Sequence, residues 1–157
     1  DIKENETPEM IANKYYGSPD NFWVVMMANQ LLDPQWDWPL NYNEFNLYII
    51  NKYGSVQNAQ SQVSHYEMKI VKTDTYNTVN DTEIIIIDQT EYAGFVPGTT
   101  TGTFSDGDQI TITTTAYAVS LYDYELSQNE SKRNIRILSA EYVQIIEKQF
   151  KELMSNG

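Results

Sequence analysis

The sequence predicts an α+β protein, and three observations carry that prediction. Two Thr/Ser-Pro pairs, Thr7-Pro8 and Ser18-Pro19, each open a run with helical period. From Ser64 onward helix formers thin out, and Thr, Ile, Val and Tyr take over with period-two alternation. From Ser139 the pattern returns to a helical stripe. These shifts divide the chain into a helical unit with following helices (1–63), a β-rich insert (64–131) and a C-terminal strand and helix (132–157).

Asp1-Ile2-Lys3 reads as the end of a strand. The sequence starts with Asp rather than Met, directly ahead of a helix cap, so further residues are expected upstream. Thr7-Pro8-Glu9 supplies a hydroxyl cap, a proline with preset φ and an acid near the positive end of the helix dipole. Met10, Ile11, Ala12 and Tyr15 form the apolar face, and Gly17 ends the helix in a left-handed conformation. Ser18-Pro19-Asp20 restarts at once, with Phe22, Val25 and Met26 at helical spacing. The expectation is a helical hairpin with a very short joint. Asp33-Pro34 and Trp38-Pro39 break regular structure, so residues 30–41 form a loop or a short extended piece. Asn41 with Glu44 three residues later has the pattern of a capping box, and Phe45, Tyr48, Ile49 and Tyr53 continue as a helix that Gly54 stops. A short helix is expected over 55–63.

In the insert, Tyr66, Met68 and Ile70 alternate with Glu67, Lys69 and Val71 as a strand. The four isoleucines of Glu83–Asp88 suggest a strand buried on both faces. Thr99–Asp108 reads as a Thr/Gly loop closed by the turn Asp106-Gly107, and 109–124 as a long strand or strand pair. Ser127–Ser131 is expected as a polar turn into a strand over Arg133–Leu138. In the last helix Tyr142, Ile146, Phe150 and Leu153 make the stripe expected to face the core. A second apolar line, Val143, Ile145 and Met154, is a candidate for a partner groove.

Bulk properties narrow the function. A formal charge of −12 disfavours nucleic acid and anionic membrane, since phosphate binding needs Lys and Arg. No Cys is present, which excludes disulfides and thiolate metal sites, and the single His65 removes most zinc chemistry and any His-based triad. No apolar run approaches the roughly 20 residues that cross a bilayer. Asp106-Gly107-Asp108 lacks the acidic series and distal Glu of a calcium loop, and reads as a hairpin turn. Asp33, Asp37 and Glu44 have no spacing that sets two carboxylates across a glycosidic bond. No Gly-rich phosphate loop occurs, because no glycine is followed by Lys-Ser/Thr. The sequence therefore predicts no catalytic residues, no metal and no cofactor.

Trp36-Asp37-Trp38-Pro39-Leu40 stands apart. Two Trp in a Pro-bounded loop carry too much apolar area to leave in water. Three readings stay open: cover for the protein's own core, an anchor in a protein–protein contact, or a platform for sugar stacking. The interface candidates are Trp36, Trp38, Pro39 and Leu40 in this loop, with Val143 and Ile145 on the last helix.

An extended piece, then the Asn5-Glu6-Thr7 turn, Ile11-Ala12 in a first helix, and Ala28-Asn29 closing a second resembles a LysM module. In that family a Gly-Asp-Thr-like turn takes the place held here by Asn5-Glu6-Thr7. The longer pattern Ile11-Ala12-Asn13-Lys14-Tyr15-Tyr16-Gly17-Ser18-Pro19 is followed by Phe22-Trp23-Val24-Val25-Met26, Asn29, Asp33-Pro34 and Trp38-Pro39-Leu40. With Phe45, Tyr48-Ile49, Lys52-Tyr53-Gly54 and the tail Lys132–Leu138, it is similar to LysM-containing baseplate wedge proteins of contractile-tailed bacteriophages. The likeness covers about 1–63 and 132–157 and leaves the β-rich middle unmatched.

The resemblance implies a LysM-like N-terminal unit in a structural virion protein of the tail baseplate, assembled in the host cytoplasm. It further implies several copies per baseplate, with the other wedge proteins and the sheath-initiating protein as partners. The alternative is a LysM carbohydrate-binding module for peptidoglycan or chitin. Tandem modules and Ser/Pro linkers, common in such binders, are absent. A peptidoglycan-cleaving enzyme is the third class, and no catalytic set supports it.

Overall fold

A computed structural model describes residues 1–76 and 78–155. Seven α-helices and four strands follow one another among them, and the fold is α+β. They are α1 Pro8–Tyr16, a 3₁₀ turn Pro19–Asn21, α2 Phe22–Ala28, α3 Tyr42–Tyr53, α4 Val56–Ser61, β1 Val63–Asp74 and β2 Asn80–Ile87. After these come α5 Gln89–Gly94, β3 Gly98–Thr103, β4 Gln109–Ser120, α6 Leu121–Ser131 and α7 Ala140–Ser155. The chain forms two compact units: Asp1–Tyr48 with Leu126–Gly157, and Ile49–Glu125. The change of composition lies at Ser64, yet the end of α3 and all of α4 group with the sheet.

The first unit is built on sharp helix boundaries. The Thr7 hydroxyl accepts from Met10 N–H at 3.3 Å, and Pro8 occupies the first turn. Gly17 adopts φ 74° and donates to the Asn13 carbonyl, so the helix stops within one residue. The Ser18 hydroxyl caps the 3₁₀ turn at once, by accepting from Asp20 N–H. Such abrupt ends let α1 and α2 bring Ile11, Ala12, Val25 and Met26 into one core with Ile2 and Trp38. Tyr16, Leu31, Ile135 and Ile137 pack around it. At the start of α3 the Asn41 carboxamide accepts from Glu44 N–H at 3.0 Å, the cap that the spacing predicts.

Residues 133–138, expected as a strand, join no ladder, and Arg133 still belongs to the turn that follows α6. The Ile2 N–H donates to the Arg133 carbonyl at 2.8 Å, and the Arg133 N–H turns back to the Glu130 carbonyl at 3.0 Å. Side chains take over the role of a neighbouring strand. The Asn29 carboxamide donates to the Arg136 carbonyl at 2.9 Å and accepts from Arg136 N–H at 2.7 Å. A carboxamide sets an N–H donor beside a carbonyl acceptor, as a strand residue does, so it can close the same two-bond ring, and the second N–H of Asn29 is left for the Val25 carbonyl at 2.8 Å. Asn129 on α6 does the same for Leu40, donating to its carbonyl at 3.0 Å and accepting from its N–H at 2.8 Å.

The second unit holds an antiparallel sheet in the order β2-β1-β4-β3. Tyr66 faces Ile87 across β1–β2, Tyr66 faces Ala118 across β1–β4, and Gly98 faces Thr114 across β3–β4. Three expectations are corrected here. The isoleucine run lies in β2, an edge strand with one neighbour, and not in a strand buried on both faces: Ile86 is 71% exposed. The Thr/Gly stretch begins as a strand, β3, because β-branched threonines suit a pleated ladder. Ser127–Ser131 is the last part of α6 and not a turn. That helix starts where the Ser120 hydroxyl accepts from Asp123 N–H at 3.0 Å. The turn Asp106-Gly107 sits where the sequence places it, with Gly107 at φ 91°.

Candidate protein interface

Asp33, Asp37, Glu44, His65 and Asp106 all make local hydrogen bonds. Asp37 accepts from Leu32 and Asp33 N–H at 2.9 and 3.0 Å, Asp33 accepts from Gln35 N–H, and Glu44 faces Asn41 N–H in the α3 cap. The N–H of Asp33, followed by that of Leu32, holds the Asp37 carboxyl below its ordinary range. The nitrogens of His65 lie 3.0 Å from Ser64 and 3.0 Å from Glu67, and its ring meets Tyr124 edge-on. Asp106 caps its own turn through Asp108 N–H. Among the described residues no cluster of three His, Asp or Glu is placed to hold a metal ion. No helix among them is long and apolar enough to cross a membrane.

The Trp loop splits into an inner and an outer part. Trp38 is 7% exposed, and its indole N–H donates to the Glu6 carbonyl at 2.8 Å. Pro39 is buried beside it in sequence, and Leu40 is half-buried with its backbone held by Asn129. Trp38 therefore packs in the protein's own core, the first of the three readings of this loop, and in the free chain neither it nor Pro39 is exposed as an interface anchor would be. Trp36 is 61% exposed. The Asp37 bonds and Lys132 Nζ on the Trp36 carbonyl fix the backbone around it. A large aromatic side chain on a braced loop loses little freedom when a partner covers it.

On α7 the two apolar lines are divided differently from the expectation. Val143, assigned to the partner line, is 2% exposed and belongs to the core. Tyr142 and Leu153, assigned to the core stripe, lie open to solvent with Ile145. Phe150 reaches Trp23 of α2 with ring centres 6.1 Å apart, seven residues from Val143 and so on nearly the same side of the helix. An open groove of about 520 Å³ borders that contact, lined by residues that include Ser18, Asp20, Trp23, Glu147 and Lys151. The apolar face of α7 spans about half the circumference, and spacing alone does not say which half meets the core.

The turn at Asn5 bears on the carbohydrate alternative. Asn5 adopts φ 64°, in the left-handed region that Gly commonly fills and Asn tolerates, and Glu6 N–H donates to the Lys3 carbonyl at 3.1 Å. The missing Gly therefore does not remove the turn. With Trp38 buried, Trp36 is the indole of that loop open for stacking.

Two comparisons bear on this surface. The chain is 26% identical over 138 residues to baseplate wedge protein gp53 of Enterobacteria phage T4, an alignment covering 88% of this chain and 63% of that protein. The chain thus spans less than two thirds of the length of that relative. A family model described as base plate wedge protein 53 matches residues 1–153. That match takes in the helical hairpin, the sheet and nearly all of α7, and the chain belongs to the base plate wedge protein 53 family.

Proposed function

We propose that this chain is a structural, non-catalytic component of a phage tail baseplate wedge, and that it links neighbouring wedge proteins during assembly. The family match over 1–153 carries this reading. The surface agrees with it: Trp36, Tyr142, Ile145 and Leu153 are all more than half exposed, on a protein whose polar residues make caps and clasps. Exposed apolar groups on ordered elements mark sites that partners cover. The proposed interface residues are Trp36 and Ile145, joined by Tyr142 and Leu153. The proposed partners are other wedge proteins and the sheath-initiating protein, in several copies per virion baseplate assembled in the host cytoplasm. We also propose that the α1–α2 hairpin, with its left-handed turn at Asn5, is a LysM-like unit used for protein contact.

Ile145→Glu tests the assembly role. Ile145 is 52% exposed, so the free variant is expected to melt within about 0.5 kcal/mol of the parent. Its incorporation into baseplates, measured by complementation and by its recovery in purified tails, is expected to be lost. Normal incorporation overturns the role of α7, and unfolding of the free variant assigns Ile145 to the core. Retention on insoluble peptidoglycan is expected to be weak or absent, because one exposed Trp offers little stacking surface. Micromolar binding that Trp36→Ala removes favours the carbohydrate module instead.

A further inference from the structure

We infer that the free edge of β2 is a docking site for an extended strand of another protein, one whose apolar segment is flanked by Lys or Arg. The edge lies in the order β2-β1-β4-β3, where β2 pairs with β1 alone. An edge strand presents a row of unpaired N–H and C=O groups, and folded proteins guard it with Lys, Pro, a bulge or very short length. β2 has no Lys, no Pro and no bulge, and the charges it carries, Asp81 and Glu83, are both acidic and precede the isoleucines. It is eight residues long, its sequence Asn-Asp-Thr-Glu-Ile-Ile-Ile-Ile contains no Lys, Arg or Pro, and its register with β1 runs unbroken from Tyr66–Ile87 to Thr73–Asn80. Ile84, Ile85 and Ile86 are 53, 37 and 71% exposed. The opposite edge, β3, is six residues of Gly and Thr and offers no comparable apolar side chains.

Charge decides the occupant. Exposed Asp81 and Glu83 precede the isoleucines, and exposed Asp88 and Glu91 follow them. Asp88 and Glu91 are fixed in place by the capping box of α5. A second copy of this chain is a poor partner. Antiparallel pairing of Ile84–Ile87 with the same run reversed sets Glu83 opposite Asp88 at both ends, and parallel pairing sets each acid beside its own copy. Like charges directly opposite destabilise a strand pair, and opposite charges stabilise it. An apolar strand with basic ends satisfies both the ladder and the field. Strand addition gives the affinity through main-chain bonds, and Ile84 and Ile86 on one face, with Ile85 on the other, select alternate side chains.

This inference rests on the wedge reading only in placing the strand donor among baseplate proteins, and its test does not use baseplates. The probe is the synthetic peptide Lys-Val-Thr-Val-Thr-Val-Lys, with its twin carrying Glu at both ends, added to the full chain. Amide hydrogen exchange reads β2, and sedimentation reads the association state. The lysine peptide is expected to slow exchange across 80–87 by about tenfold or more. The glutamate peptide is expected to bind at least about tenfold more weakly, and added salt to narrow the gap. Ile86→Lys places a guard charge at an exposed position, so it is expected to abolish the protection and leave the melting of the free chain unchanged. Absence of protection by the lysine peptide, or equal binding of the two peptides, overturns the inference. Concentration-dependent dimers whose β2 amides are protected without peptide overturn it in favour of a second copy. If Ile86→Lys unfolds the chain, Ile84→Lys repeats the test at a second exposed position.

Discussion

Trp38→Ala is expected to lower the stability of the first unit by about 3–5 kcal/mol, the range for truncating a buried aromatic side chain. Two losses combine. The indole sits at 7% exposure in the cluster with Ile2, Ile11, Ala12, Val25 and Met26, so its removal leaves a cavity that these side chains fill only in part. Its N–H also satisfies the Glu6 carbonyl at 2.8 Å, next to the Thr7 cap of α1. That bond is part-buried, so losing its donor adds about 1 kcal/mol, the low end of the penalty for an unmatched carbonyl. A domain of ordinary size has about 5–15 kcal/mol of stability in all, so this one change is expected to bring the unit close to its threshold. Trp36→Ala is the internal control. At 61% exposure it is expected to change the unfolding free energy by no more than about 0.5 kcal/mol, and so to leave the urea midpoint nearly where it was. Equal midpoints for the two variants would place Trp38 outside the core and return the whole loop to the surface.

The contrast between these two tryptophans shows where the sequence is legible. Proline, glycine and hydroxyl residues act within one turn of themselves, so Thr7-Pro8, Gly17, Ser18-Pro19, Asn41 with Glu44, Gly54 and Asp106-Gly107 mark element boundaries without any knowledge of the fold. Position within a sheet is a different matter. Four isoleucines read as a buried strand, but β2 is an edge because β4 and β3 are added on the far side of β1, a fact held in the topology. Helix α6 is hidden for another reason. Two of its inward positions, Glu125 and Asn129, are polar, so the apolar period that reveals a helix is interrupted. Glu125 accepts from Lys52 Nζ and the Tyr53 hydroxyl, both at 2.7 Å, which accounts for a carboxylate at that depth. For α7 the stripe was visible but its rotation was not, and Val143 and Tyr142 exchange roles as a result.

Asn129→Asp is expected to destabilise the first unit by about 2–4 kcal/mol at pH 7, and by much less in mild acid. The parent side chain donates to the Leu40 carbonyl and accepts from the Leu40 N–H, at 5% exposure. A carboxylate there keeps the acceptor but sets a negative oxygen against the Leu40 carbonyl. Both burial and that repulsion disfavour the charged form, so the new carboxyl has a folded-state pKa raised above its unfolded value of about 3.9. The sign follows. Above the folded pKa, folding has to keep the carboxylate charged in a poor site or bind a proton, and the penalty is largest. As pH falls through the folded pKa toward the unfolded one, the neutral acid forms and its O–H replaces the missing donor, so the penalty shrinks. The parent responds to acid in the opposite direction. Glu6, Asp37, Glu67 and Asp74 are held below their ordinary range, chiefly by the Lys3 N–H, the Asp33 N–H, the Tyr117 hydroxyl and the Thr78 hydroxyl respectively. Their contributions are present above the unfolded carboxyl pKa and fade as pH falls through the depressed values. The informative quantity is therefore the difference between variant and parent urea midpoints, followed from pH 7 down to about 4.5, because the change those four carboxyls bring is common to both proteins and cancels in it. Asn129→Ala loses donor and acceptor alike, and its difference from the parent is expected to stay flat over the same range. An Asn129→Asp difference that also stays flat would mean that the clasp on Leu40 does not depend on a donor at that position.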